Sequence, residues 1–266
     1  MRAQRAASGG PMRRRTIAFL ILALVLGAGI TGAGAWSARQ PRAYAPHGPG
    51  ATYLALGDSL AWGASLADSA SESYPALIHA ALAEAGTIEL VNLSVPGETS
   101  GSFVAWQLPR AVALLEAARR DGRRISPITL DIGGNDLRNV ERAGPVAREA
   151  AIVAARRNIA RSLDALRAAA GPTADIAIMT YYNPYGGDPA VHGSDAFWVE
   201  RLNAAIREEA GRRGVAVADV YLAFEGGRAY THTFALLGDI HANAQGHALI
   251  AETFVTALGY RRAVLP

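Results

Sequence analysis

From Thr52 onward the chain repeats one pattern: a short apolar run, then a longer segment whose apolar residues recur at helical spacing. The runs at 52–56, 89–93, 128–132, 175–180 and 215–219 are rich in Val, Ile and Leu and do not alternate cleanly between apolar and polar residues. A strand with one wet face alternates. A strand buried on both faces does not, and burial on both faces marks a parallel strand covered by helices. The intervening segments predict amphipathic helices over about 74–85, 103–120, 146–169 and 197–213, with a last one after Asn243. Pro109 is expected to break or kink the second. This spacing predicts an α/β fold, a three-layer α/β/α sandwich around a five-stranded parallel sheet. Ligands of such sheets bind beyond the carboxyl ends of the strands, so residues with chemistry to perform should follow the strands directly.

Three motifs do so, and a fourth stands just before the last helix. Gly57-Asp58-Ser59-Leu60 follows the first run. A serine at a strand end with a helix behind it is placed to act as a nucleophile, and a helix N-cap is the structural alternative. Pro96-Gly97 follows the second, where a turn can aim the Gly97 N–H at an oxyanion or be only a turn. Gly133-Gly134-Asn135-Asp136 follows the third, and the Asn135 carboxamide can donate into a pocket there or close an Asx-turn. Near the end of the chain, Gly238-Asp239-Ile240-His241 precedes the last helix, and His241 has the setting of a general base. His247 reads as a packing or surface residue. His47, His79, His192 and His232 have no comparable context. Trp62, Phe103, Trp106, Tyr181, Tyr182 and Tyr185 follow strands and are candidates to line an apolar acyl site, or simply to pack helices on the sheet.

Together these motifs resemble the GDSL (SGNH) hydrolase family over residues 53–260. LALGDSLAWG is similar to its nucleophile block, NLSVPGETS and LDIGGNDL to its oxyanion blocks, and GDIHANAQGHALIA to its histidine block. MTYYNPY is similar to a segment of bacterial members. The resemblance implies a flavodoxin-like SGNH hydrolase fold and a serine ester hydrolase. Its acyl-enzyme would form on Ser59, with His241 as base, Asp239 in support, and Ser59, Gly97 and Asn135 binding the oxyanion. Lipid or carbohydrate esters are the implied substrates, with no metal or cofactor. One feature departs from the family, which places its Asp three residues before the His. Here Gly238 stands at that position and Asp239 lies two before His241. Either the Asp239 carboxylate reaches the imidazole by another loop path, or a backbone carbonyl orients it. The departure also leaves open a catalytically weakened binding module tethered to a membrane. An acyltransferase acting on sugar hydroxyls is a further alternative. Gly57-Asp58-Ser59-Leu60-Ala61 is close to the G-x-S-x-G elbow of α/β-hydrolases, but Ser59 follows the first domain strand and the nearest acid adjoins His241, which does not suit that topology.

The ends of the chain bear on location and partners. Arg13-Arg14-Arg15 precede a charge-free run, residues 16–38, with an apolar heart at 17–26. A basic stretch before an apolar run directs export with the basic end inside. Ala33-Gly34-Ala35 offers a cleavage site, while a run of this length also spans a bilayer. Residues 1–38 therefore read equally as signal peptide or membrane anchor. Residues 39–50, rich in Pro and Gly, read as a linker, and 51–266 as the catalytic domain. Gly27-Ala28-Gly29-Ile30-Thr31-Gly32 matches a dinucleotide fingerprint by chance, since no acid follows at the required distance. The formal charge of +3 belongs to the leader: seven Arg and no acid precede residue 51, against 19 Arg and 23 acids after it. No basic patch interleaved with aromatics is present, so nucleic acid is not an expected partner. The chain has no Cys, which excludes a thiol nucleophile and disulfides. Expressed in a bacterium, the protein is expected beyond the inner membrane, or anchored with its domain outside; recovery of the intact chain from the cytoplasm on fractionation would contradict this.

Overall fold

The computed structural model describes residues 42–224 and 229–260. The leader at 1–38 lies outside the described residues. Five parallel strands form one sheet: β1 (Thr52–Gly57), β2 (Glu89–Asn92), β3 (Ile125–Asp131), β4 (Ile176–Met179) and β5 (Ala216–Ala218), in the order β2-β1-β3-β4-β5. Every residue of β1, β3 and β4 is buried, which is why their sequences carry no period-two pattern. β3 begins three residues earlier than its apolar run, because the strand accommodates Pro127 beside a register irregularity between Thr52 and Leu54 of β1. Proline has no N–H for the ladder and ordinarily stops a sequence-based strand assignment.

Five longer helices cover the sheet: α1 (Tyr74–Ala83), α2 (Leu108–Arg120), α3 (Pro145–Ala170), α4 (Asp195–Arg213) and α5 (Ala244–Ala257). α1 packs with α5, where the Tyr74 and Phe254 rings stack 5.1 Å apart. α2, α3 and α4 pack side by side. Ser73, Ser194 and Asn243 cap α1, α4 and α5 by accepting from backbone N–H groups of the first turn. Pro109 neither breaks nor sharply ends its helix. A π-helical turn, Phe103–Gln107, runs directly into α2, and Pro109 follows it as the second residue of α2, so the helix continues through the proline. The turn buries both Phe103 and Gln107. Among the described residues no helix is long and apolar enough to cross a membrane.

Within the expected linker, residues 42–50 are tied to the domain rather than free. Asp175, fully buried at the start of β4, accepts from the backbone N–H groups of His47 and Gly48 at 3.0 and 2.9 Å and from the Tyr260 hydroxyl at 2.7 Å. Arg124 donates to the carbonyls of Gly48 and Pro49, and the Gly50 N–H to the Ser126 carbonyl. Composition marked this stretch as a linker because Pro and Gly are common to flexible and to tightly held loops. Its partners lie 75 or more residues away in sequence. A chain starting at residue 51 should therefore melt lower than one starting at 42. Leaving a buried carboxylate short of its donors costs on the order of 3 kcal/mol, roughly 6–12 °C for a domain of this size. Equal melting temperatures would show that the tie contributes nothing.

Candidate active site

The register of the sheet places Gly57, the last residue of β1, beside Asp131, the last of β3. Gly57 has φ +140°, and a Cβ there would stand 2.3 Å from Asp131 Oδ1, so this crossing requires glycine. Asp58 then caps the short helix Ser59–Trp62, its Oδ1 accepting from the Leu60 N–H at 3.0 Å. The capping alternative for Ser59 is thus taken by its neighbour, and the Ser59 hydroxyl faces the His241 Nε2 at 2.9 Å.

The loop before α5 supplies the other partners. His241 Nδ1 lies 2.6 Å from Asp239 Oδ1, which also accepts the His241 backbone N–H at 3.0 Å. The two-residue spacing works because one carboxylate oxygen receives both donors. The second oxygen, Oδ2, accepts from the Ser65 hydroxyl at 2.5 Å. Burial alone would raise the Asp239 pKa, but these donors and His241 bring it below the usual carboxylate range. With Asp239 ionised and accepting from Nδ1–H, Nε2 is left as an acceptor for the serine proton. The loop is held by the Tyr182 hydroxyl, which donates to the Ile240 carbonyl at 2.8 Å, and by the Phe234 N–H on the His241 carbonyl.

Asn135 sits in the short helix Gly134–Arg138 and donates from Nδ2 to the Glu98 carbonyl at 2.9 Å, leaving its other amide hydrogen free. This bond ties it to the turn containing Gly97, which has φ +81°. The backbone N–H groups of Ser59 and Gly97 have no acceptor among the described residues. Asn135 lines the same cavity as Ser59 and His241; Gly97 lies outside that lining. Two further residues hold these loops in register. Asp136 accepts from the Ser100 N–H and hydroxyl, both at 2.7 Å. Gln107 bridges the Gly57 N–H and carbonyl and donates to Glu98. Nothing in the local sequence marks Gln107, because its position depends on the π-helical turn.

Beneath Ser59 lies a buried pair of carboxyls. The Asp58 N–H donates to Asp131 Oδ2 at 3.1 Å, the Tyr181 hydroxyl to Asp58 at 2.8 Å, and the Tyr74 hydroxyl to Asp131 at 2.5 Å. Burial drives the Asp131 pKa well above the usual carboxylate range, and the neighbouring Asp58 adds like-charge repulsion. Asp58 is raised by burial too, against the hydrogen bonds it accepts. Both carboxyls are thus pushed towards the neutral form, Asp131 the more strongly. His247, in α5, is fully buried. Its Nδ1 accepts from the Tyr74 N–H at 3.1 Å, and burial lowers its pKa to about 4, so the ring is neutral.

A cavity of about 800 Å³, open mouth included, extends from Ser59 and His241. Of the aromatic candidates, Tyr181, Tyr182 and Tyr185 line it, Phe103 is in the core, and Trp62 and Trp106 are exposed outside it. Trp198, Val199 and Leu202 of α4 join the lining.

A model of the GDSL-like lipase/acylhydrolase family matches residues 55–249. No curated protein matches the chain by sequence. Among solved structures, the chain is similar to the acetylxylan esterase Axe2 from Geobacillus stearothermophilus, with 15% identity, TM-score 0.60 and coverage of 81% of this chain and 97% of that one. It is similar also to the psychrotrophic esterase EstA from Pseudoalteromonas sp., with 22% identity, TM-score 0.53 and coverage of 79% and 97%. A third is LAE5, an alpha/beta hydrolase enzyme from the metagenome of Lake Arreo, Spain, with 21% identity, TM-score 0.58 and coverage of 81% and 99%. At these identities the three likenesses establish the fold.

The buried pair sets a pH dependence of stability. Asp131 has its folded pKa raised, so its contribution is full below the unfolded value of about 3.9 and declines as pH rises towards the folded one, by up to about 1.4 kcal/mol per pH unit. Asp131→Asn keeps a neutral group there and removes this titration. Between pH 5 and pH 8 the parent should lose more melting temperature than the variant; equal losses would mean that Asp131 is ionised in the fold.

Proposed function

This chain belongs to the GDSL-like lipase/acylhydrolase family and is a carboxylic ester hydrolase, and from that premise we propose that it forms an acyl-enzyme on Ser59, with His241 as general base and Asp239 as the carboxylate behind it. The observation that carries this reading is the continuous chain from Ser59 Oγ through both ring nitrogens of His241 to Asp239, at 2.9 and 2.6 Å. As Ser59 Oγ bonds to the ester carbonyl carbon, its proton passes to Nε2, and Asp239 stabilises the imidazolium through Nδ1–H. The Ser59 and Gly97 N–H groups and the free amide hydrogen of Asn135 receive the oxyanion. Collapse expels the alcohol, which takes the Nε2 proton, and water repeats the cycle to release the acid. The short spacing of Asp239 and His241 was the argument for a non-catalytic module. A carboxylate at 2.6 Å from Nδ1 supports the catalytic reading instead.

The acyl preference proposed here is supported by the cavity. Leu137, Tyr182, Tyr185, Trp198, Val199 and Ile240 make an apolar wall beside Ser59, and the charges at its rim are partly neutralised by the Arg148–Asp195 pair at 2.7 Å. This wall suits an alkyl acyl chain longer than acetyl. Each methylene buried contributes about 0.8 kcal/mol, roughly four-fold in kcat/KM. The basic triplet and apolar run of the leader support action outside the cytoplasm, where lipid esters are at hand.

On nitrophenyl esters, kcat/KM should climb from acetate through butyrate to hexanoate, and Val199→Phe should cut hexanoate hydrolysis more than acetate hydrolysis. Acetate as the best ester would refute the acyl site. Ser59→Ala and His241→Ala should each abolish most activity. Asn135→Ala should lower kcat roughly a hundred- to thousand-fold with little change in KM; a raised KM with intact kcat would make Asn135 a binding residue instead.

A further inference from the structure

Ser65 has no place in the reaction just described, and its setting is unusual. It lies in the loop after the short helix Ser59–Trp62, which ends at Gly63 in the left-handed conformation. Among the described residues Ser65 is the one non-glycine with positive φ, +69°. L-residues avoid this region because Cβ crowds the carbonyl oxygen, so contacts elsewhere must hold Ser65 there. Backbone bonds of the turn, from the Ala64 N–H to the Ser59 carbonyl and from the Leu66 N–H to the Gly63 carbonyl, flank it, and its hydroxyl donates to Asp239 Oδ2 at 2.5 Å, with Ser65 Oγ 3.3 Å from His241 Nδ1.

The need for such a contact comes from the short spacing of Asp239 and His241. Asp239 Oδ1 already receives two donors from His241, the backbone N–H and Nδ1. Oδ2 has Ser65 as its one side-chain donor, and the Asp239 side chain is 37% exposed. A carboxylate with one free oxygen at the surface can rotate about its Cβ–Cγ bond and exchange the imidazole for water. A donor fixed on the opposite loop prevents this rotation.

Resting on the Ser59–His241–Asp239 reading, we propose that Ser65 is a positioning residue that locks the Asp239 carboxylate against His241, compensating for the two-residue spacing of that pair. The loop that carries the nucleophile thereby also holds the acid, and the hydrogen-bonded chain closes on itself: Ser59, His241, Asp239 and Ser65 join two loops more than 170 residues apart.

The test uses Ser65→Ala, which removes the hydroxyl, and Ser65→Gly, which removes it and also relieves the backbone. Both should lower kcat roughly ten- to hundred-fold with KM changed less than about two-fold. Ser65→Gly should melt at or above the parent temperature while remaining slow. A residue that merely shaped the loop would not separate stability from rate in this way. The decisive measurement is a cycle with Asp239→Asn. If Ser65 acts through Asp239, the combined Ser65→Ala, Asp239→Asn variant should be little slower than Asp239→Asn alone. A crippled Asp239→Asn beside a parent-like Ser65→Ala, or multiplicative losses in the double variant, would overturn the role of Ser65 and leave the triad standing. A parent-like Asp239→Asn would overturn the triad's acid and this proposal with it.

Discussion

Everything at the site depends on the parallel pairing of β1 with β3, which ends both strands at one level with Gly57 against Asp131. That register puts Asp58 over a buried carboxyl, and two acids so close cannot both ionise in a dry interior. Two tyrosine hydroxyls and the backbone N–H groups of Asp58 and Leu60 donate to the four oxygens. Asp58 is then rigid enough to cap the helix behind it, and Ser59 is presented in a single orientation.

The same level of the sheet organises the neighbouring loops through buried amides and carboxyls. Gln107 clamps the end of β1 and reaches Glu98. Asn135 holds the Glu98 carbonyl, and Asp136 holds Ser100. Asn203 of α4 clamps the backbone of Tyr181 from both sides, at 2.8 Å each way. The Gln107–Gly57, Asn135–Glu98 and Asp136–Ser100 bonds join segments that follow different strands. A shift of one strand would move several donors at once, so the position of the Asn135 amide relative to Ser59 is set by the whole sheet rather than by its own loop. Gly134 belongs to this set, because a Cβ there would stand 2.7 Å from the Tyr181 ring.

The loop before α5 solves a different problem. It brings Asp239 and His241 to Ser59 from far along the chain, with one Asp239 oxygen on the imidazole, the other on Ser65, and the side chain partly exposed. The opposite pole of the domain shows the reverse treatment of an acid. There Asp175 is fully enclosed, and the chain before β1 folds back to supply its donors.

The strands, the longer helices and the four loops with chemistry were legible in the sequence, because burial on both faces, helical spacing and turn residues are local patterns. The identities of Ser59, Asn135 and His241 as candidates were legible for the same reason: each stands directly after a strand or before a helix. What only the tertiary structure decided is every relation between distant segments. Sequence could not choose between the Asp239 carboxylate and a backbone carbonyl, since that turned on the path of a loop. Nor could it find Ser65, Gln107 or the buried state of Asp131, whose neighbours lie 50 to 174 residues away. Residues 42–50 looked like a linker because composition reports flexibility, whereas hydrogen-bond partners across the fold decide whether a segment is held. Local sequence sets which conformations a segment prefers, and long-range packing sets which side chains meet.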